Sequence, residues 1–129
     1  MEEEVGRRVV DGAVQVHREL GHGLLETVYE AVLAHELRRR GLQVDRQVAI
    51  PLHYQGLKFE EGFRADLLIE GEVIVELKCV EKLNAAHKKQ LLTYLRLADL
   101  RLGYLLNFGE PLMKNGIVRC VHRIREPTF

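Results

Sequence analysis

The sequence has two cysteines, three prolines and no excess of charge of either sign. Cys79 and Cys120 are isolated, each inside an apolar strand-like run. Two such residues do not make a disulfide framework, and they predict reduced, buried thiols in a cytoplasmic protein. Net charge is zero, from 19 basic and 19 acidic residues, which removes any global attraction to nucleic acid. A basic surface would have to come from local clusters such as Arg38-Arg39-Arg40, Lys88-Lys89, or Arg119, Arg123 and Arg125, whose ordinary role is solvated surface. No apolar run approaches the roughly 20 residues of a membrane span. The start, Met1-Glu2-Glu3-Glu4, is acidic and lacks the apolar stretch of a secretory signal. Repeats, linkers and low-complexity segments are missing as well. What is there is 129 residues, 47% hydrophobic and 29% charged. That composition predicts one globular domain, residues 1–129, long enough for a real core.

The most informative stretch runs from Arg64 to Lys78. Two runs rich in Leu, Ile and Val flank Glu70-Gly71-Glu72, a β-hairpin signal. Asp66 interrupts the first run; Glu76 and Lys78 interrupt the second. Side chains alternate along a strand, so Glu76 and Lys78 share a face. If Ile69 pairs with Val73 around the three-residue turn, Asp66 lies opposite Glu76 on that face. Two carboxylates side by side repel each other unless something positive sits between them. A hard divalent cation with oxygen ligands is the obvious candidate. Lys78, one step along, would stabilise a phosphate or activate a water.

Around this hairpin the periodicity predicts two N-terminal helices. The first carries Val5, Val9, Ala13, Val16 and Leu20 at helical spacing and ends at Gly21-His22-Gly23. The second covers about Leu25 to Arg40 and stops at Gly41, with an apolar stripe of Leu25, Val28, Tyr29, Val32, Leu33 and Leu37. Glu26 borders that stripe, where a charge favoured by the helix dipole is the plain reading. Glu36 falls near the centre of the stripe without an evident role. Strands follow at Gln47–Leu52, Leu57–Ile69 (bent or bulged near Glu61-Gly62) and Glu72–Val80. A third helix is expected over Leu83–Ala98, then strands at Leu102–Phe108 and Gly116–Ile124. The order ααβββαββ predicts an α/β domain with a mixed central sheet flanked by helices. On the third helix, Leu83, Ala86, His87, Gln90, Tyr94 and Leu97 share a face. His87 and Gln90 are polar groups in a stripe that should be apolar, and buried polar groups need partners.

Asp66, nine further residues and then Glu76-Leu77-Lys78 resemble the D…(D/E)-x-K signature of the PD-(D/E)XK nuclease superfamily. Gln90-Leu-Leu-Thr-Tyr94 resembles the Q-x-x-x-Y motif of its helicase-associated exonuclease branch. Gly23-Leu-Leu-Glu26-Thr-Val-Tyr29 resembles the signature of the GxxExxY family, a small branch of the same superfamily. Together these motifs span nearly the whole chain, in order and on the expected elements. The proline of the superfamily name is replaced by Ala65.

The resemblance implies a nuclease-like αβββαβ core with an extra N-terminal helix. It implies that Asp66 and Glu76 are metal ligands, with the Leu77 carbonyl as a third oxygen and Glu26 completing the site. Lys78 would orient or deprotonate the attacking water, and Gln90 and Tyr94, with His87 beside them, would brace the site or touch substrate. Mg²⁺ or Mn²⁺ is the implied cofactor, DNA or RNA the implied substrate, and hydrolysis of phosphodiester bonds the implied activity. The competing class is a non-catalytic module binding nucleic acid or protein on the same scaffold. Zero net charge favours that class, or a homodimer or accessory protein that supplies the grip on nucleic acid.

Overall fold

In the computed structural model, which describes residues 1–123, the chain runs α1 (Glu2–Leu20), α2 (Glu26–Arg39), β1 (Val44–Tyr54), β2 (Leu57–Ile69), β3 (Val73–Lys78), α3 (Ala85–Ala98), β4 (Leu102–Asn107), a 3₁₀ turn (Met113–Gly116) and β5 (Ile117–Val121). The strands lie in the order β1-β2-β3-β4-β5. β3 and β4 are parallel and every other neighbouring pair is antiparallel. A parallel pair needs a crossover, and α3 supplies it. The predicted mixed α/β sheet flanked by helices is what forms.

Two cores cover the two faces of the sheet. On one face α1 and α2 pack through Val5, Val9, Ala13, Tyr29, Leu33 and Leu37 onto Val73, Val75, Leu77, Tyr104 and Leu106. On the other, Leu91 and Leu95 of α3 pack onto Phe63, Ala65, Ile74 and Leu105. The alternation of β3 therefore turns Ile74, Glu76 and Lys78 toward the α3 side. In α1 the acidic first turn and His17 and Arg18 in the last turn suit the helix dipole. Among the described residues, no helix is long and apolar enough to cross a membrane.

Several boundaries and faces differ from the sequence-based expectation. β1 is longer than Gln47–Leu52 at both ends: residues 44–46 pair with residues 67–69 beside the core, and His53 and Tyr54 pair with Lys58 and Leu57 next to the turn. The irregularity near Glu61-Gly62 is present: Ile50 pairs with Phe63 and Leu52 with Phe59, so Glu60, Glu61 and Gly62 lie opposite Pro51 alone. β3 stops at Lys78, short of Val80, where the chain is tied instead to Asn107. β5 begins at Ile117, since Gly116 closes the 3₁₀ turn. Its expected end at Ile124, like Arg125 of the basic cluster, lies outside the described residues.

The buried face of α2 is rotated relative to the predicted stripe. Leu25 is 72% exposed and Val28 38%, while Glu30 is buried at 5% exposure. A carboxylate with polar partners can occupy a core-facing position, which a count of apolar residues does not register. Glu36 lies off the core face, paired with Arg40 at 2.7 Å and Arg39 at 3.3 Å. α3 is rotated too. Leu91 and Leu95 carry its burial, whereas Ala86, Gln90 and Leu97 are exposed and His87 half-buried. His87 and Gln90 are thus not buried polar groups within an apolar stripe.

Candidate active site

The β2–β3 hairpin turns at Glu70-Gly71, both with positive φ (55° and 66°), and Glu72 N–H donates to Ile69 C=O at 2.9 Å. Glycine adopts this geometry without a Cβ penalty. The register is Ile69↔Val73, Leu68↔Ile74 and Leu67↔Val75, so the next opposed residues are Asp66 and Glu76. There side chains take over from the backbone ladder. Asp66 N–H donates to Glu76 Oε2 at 2.8 Å, and Leu77 N–H donates to Asp66 Oδ2 at 2.9 Å. The strands part, and two carboxylates fill the gap. Glu76 is 5% exposed and Asp66 and Lys78 are half-buried. Phe63 and Ala65 pack on the α3 side while Leu67 and Ile69 pack on the other. Strict alternation would put all four on one face, so β2 turns over at Asp66.

The strand end beyond Glu76 is fastened by Asn107, which is fully buried. Its Oδ1 accepts from the N–H groups of Val80 and Gly109, each at 3.0 Å, and its Nδ2 donates to Val80 C=O at 2.9 Å. Phe108 N–H donates to Lys78 C=O at 2.8 Å. Lys78 is thereby held at the last rung of the parallel pair.

Glu26 reaches the site through the loop before α2. Gly23 has φ 108°, a conformation that side chains disfavour. Tyr29 is fully buried and stacked on Phe108 with ring centroids 4.6 Å apart. Its hydroxyl donates to Gly21 C=O at 2.6 Å and accepts from Leu24 N–H at 3.2 Å. The glycine lets the chain turn, the tyrosine clamps the turn, and Glu26 stands at the first helical position.

Charge is concentrated here. Burial, and then the Asp66 and Glu26 charges, push the Glu76 carboxyl up to about 8. Burial, with the Glu30 charge, raises Asp66, although the Leu77 N–H opposes the shift. Glu26 is raised by burial and by Asp66. The Lys78 charge opposes all three shifts. Tyr94 is raised by burial and by Glu76 and Asp66. Its ring stacks on Phe63 at 4.0 Å.

A sequence model of the PD-(D/E)XK nuclease superfamily matches residues 3–120. The chain belongs to the PD-(D/E)XK nuclease superfamily. No curated protein matches it.

For a PD-(D/E)XK chain, hydrogen bonds join Asp66, Glu76 and the Leu77 N–H, Lys78 follows on the same face of β3, and Glu26 and Tyr94 lie within range of the Asp66 charge. His87 and Gln90 stand apart from that group. His87 Nδ1 accepts from Asn84 N–H, and Asn84 Oδ1 accepts from His87 N–H, each at 3.1 Å, forming the capping box of α3. Gln90 is exposed one turn before Tyr94. Among the described residues, no three His, Cys, Asp or Glu side chains are grouped so that they could hold a metal ion, so Glu26 does not complete a three-acid set with Asp66 and Glu76. Asp66 and Glu76 each give one oxygen to a backbone N–H, and Glu76 Oε1 and a lone pair on Asp66 Oδ1 remain. Sequence reasoning missed Glu30, Arg46, Gln47 and Asn107. Glu30 carried one signal, since it lies four residues after Glu26 and therefore on the same side of α2.

Proposed function

We propose that this protein is a metal-dependent nuclease of the GxxExxY branch, hydrolysing phosphodiester bonds of DNA or RNA. The observation that carries the reading is the Asp66–Glu76 pair: two carboxylates fixed by each other's strand, with Lys78 two residues further along the same face of β3. Their remaining oxygens and the Leu77 carbonyl suit Mg²⁺ or Mn²⁺, which keeps several waters and needs only one or two carboxylates when phosphate is also present; Glu26 would act on the ion through one of those waters. When bound, such an ion polarises the scissile phosphate and makes a water more acidic. Lys78 orients the attacking water and offsets the charge that grows on the phosphoryl oxygens. Tyr94 borders the carboxylates and, with the exposed Gln90 one turn before it, contacts substrate. His87 braces this face by capping the start of α3.

The test is cleavage of single- and double-stranded DNA and RNA with Mg²⁺ or Mn²⁺. Wild type is expected to cut at least one, and Lys78→Ala to lose cleavage while keeping its fold and cation binding. A group used mainly in the transition state affects turnover more than affinity. If no nucleic acid is cut, and Lys78→Ala instead changes binding affinity, the protein is a non-catalytic binding module and the nuclease reading falls.

A further inference from the structure

Both strands flanking Asp66 are distorted at one level. Arg46 pairs with Leu67 and Val48 with Ala65, but Gln47, directly across from Asp66, makes no ladder pair. Gln47 has φ 52°. The left-handed conformation costs a non-glycine residue about 1 kcal/mol or more. Gln47 is exposed, so packing does not repay that strain.

Polar contacts account for it. Gln47 C=O accepts from Arg64 Nη1 at 3.0 Å, and Arg64 is itself held by Glu61. Gln47 Nε2 points at two carboxylates, Glu30 Oε1 at 2.8 Å and Asp66 Oδ1 at 3.3 Å. An amide nitrogen carries two hydrogens, one for each. The reversed amide would set its oxygen against both carboxylates, so this orientation is fixed. Glu30, buried on α2, also accepts from Arg46 Nε at 3.1 Å. A buried carboxylate without such partners would be costly. The chain of contacts runs from α2 through β1 to β2 and ends on the Asp66 oxygen that Leu77 does not hold.

We infer that Gln47, anchored by Glu30, is a positioning residue that fixes the orientation of the Asp66 carboxylate for the proposed nuclease reaction. Leu77 N–H secures Oδ2 and Gln47 secures Oδ1. The contact to Oδ1 is long and single, which leaves that oxygen a lone pair for a cation. The inference rests on the nuclease reading for its consequence in turnover, but not for the geometry itself.

Gln47→Gly tests it in the full chain, because glycine relieves the left-handed strain while deleting the amide. Glycine also takes a donor from the buried Glu30, so melting temperature does not separate a positioning role from a merely structural one. A positioning residue predicts kcat of the folded protein lower by about tenfold or more with KM for nucleic acid unchanged within about twofold, whereas a merely structural role leaves both unchanged. Asp66 side-chain couplings measured by NMR should change from one rotamer in wild type to averaged values in Gln47→Gly, and also in Glu30→Gln. Wild-type turnover with a single Asp66 rotamer in Gln47→Gly overturns the inference. If wild type cuts nothing, the nuclease reading fails, and the Asp66 couplings then decide the positioning role alone: averaging upholds it and a single rotamer overturns it.

Discussion

Asp66 and Glu76 each hold the other's strand: the Asp66 amide donates to the Glu76 carboxylate, and the Asp66 carboxylate accepts from the amide that follows Glu76. The reciprocity commits one oxygen of each acid to the fold, and Gln47 Nε2 donates to the second Asp66 oxygen at 3.3 Å. Burial and mutual repulsion both disfavour the doubly charged state, and Lys78 offsets it only in part. A cation placed between them would relieve both costs.

That relief is measurable as stability. Mg²⁺ or Mn²⁺ is expected to raise the melting temperature, because a ligand that binds only the folded state stabilises it, by about 2.7 kcal/mol at a concentration near 100 times its dissociation constant. Asp66→Asn should remove the response by taking away one of the two charges. Scanning calorimetry with and without the cation checks this, and the absence of any shift at millimolar cation would count against the site.

The same repulsion gives a pH dependence without cation. The Glu76 carboxyl is raised from 4.5 to about 8 in the folded chain. Between those values the folded state binds more protons than the unfolded state, so stability falls as pH rises. The contribution is fully present below about 4.5 and is lost as pH passes through about 8, with a size on the order of a few kcal/mol. Glu76→Gln should flatten this part of the profile and raise stability at pH 8, as read from urea denaturation across pH 5 to 9. A variant whose profile parallels wild type would contradict the shift. Cation affinity should rise over the same window, since the ion competes with the proton.

The hairpin register was legible because three facts sufficed: a three-residue turn, strict alternation, and Leu, Ile and Val on both sides. Ile69 does pair with Val73, and the opposition of Asp66 and Glu76 follows. The mixed sheet was legible because the helical pattern at Leu83–Ala98 separates two strand patterns, and a crossover of that length joins parallel strands. The helix faces were less legible. Glu30 is core-facing but counts as polar, which drew the expected stripe of α2 toward Leu25 and Val28. On α3, Gln90 and Tyr94 drew attention away from Leu91 and Leu95. Gln47 carried no signal, since left-handed backbone is foreseen from glycine or asparagine, and here tertiary hydrogen bonds impose it on glutamine. Asn107, at the end of an apolar strand, gave no hint of the loop it binds.

The clamp on the α2 entry loop is open to a one-atom change. Tyr29→Phe keeps the stack on Phe108 but removes the hydroxyl that joins Gly21 C=O and Leu24 N–H. The expected loss is about 1 to 2 kcal/mol by chemical denaturation. Amide exchange should quicken at Leu24, ahead of Glu26, without a comparable change at β3. Unchanged exchange at Leu24 would mean that the hydroxyl does not hold the loop.

Asn107 offers a sharper test, because two substitutions separate its donor from its acceptor. Asn107→Ala strands the N–H groups of Val80 and Gly109 and the C=O of Val80 in a buried place. Each unsatisfied group costs about 1 to 3 kcal/mol, so a loss on the order of 3 kcal/mol is expected in urea denaturation. Asn107→Asp retains the acceptor for the two N–H groups but turns a second acceptor toward Val80 C=O. At neutral pH it should be destabilised as well. In acid the new carboxyl gains a proton and can donate to that carbonyl, so its folded-state affinity for the proton is raised. Stability relative to wild type should therefore recover below the usual carboxylate range and be lost as pH rises. If Asn107→Asp matches wild type at pH 7, the donor to Val80 C=O contributes nothing, and the segment after Lys78 is held by the two accepted N–H groups alone.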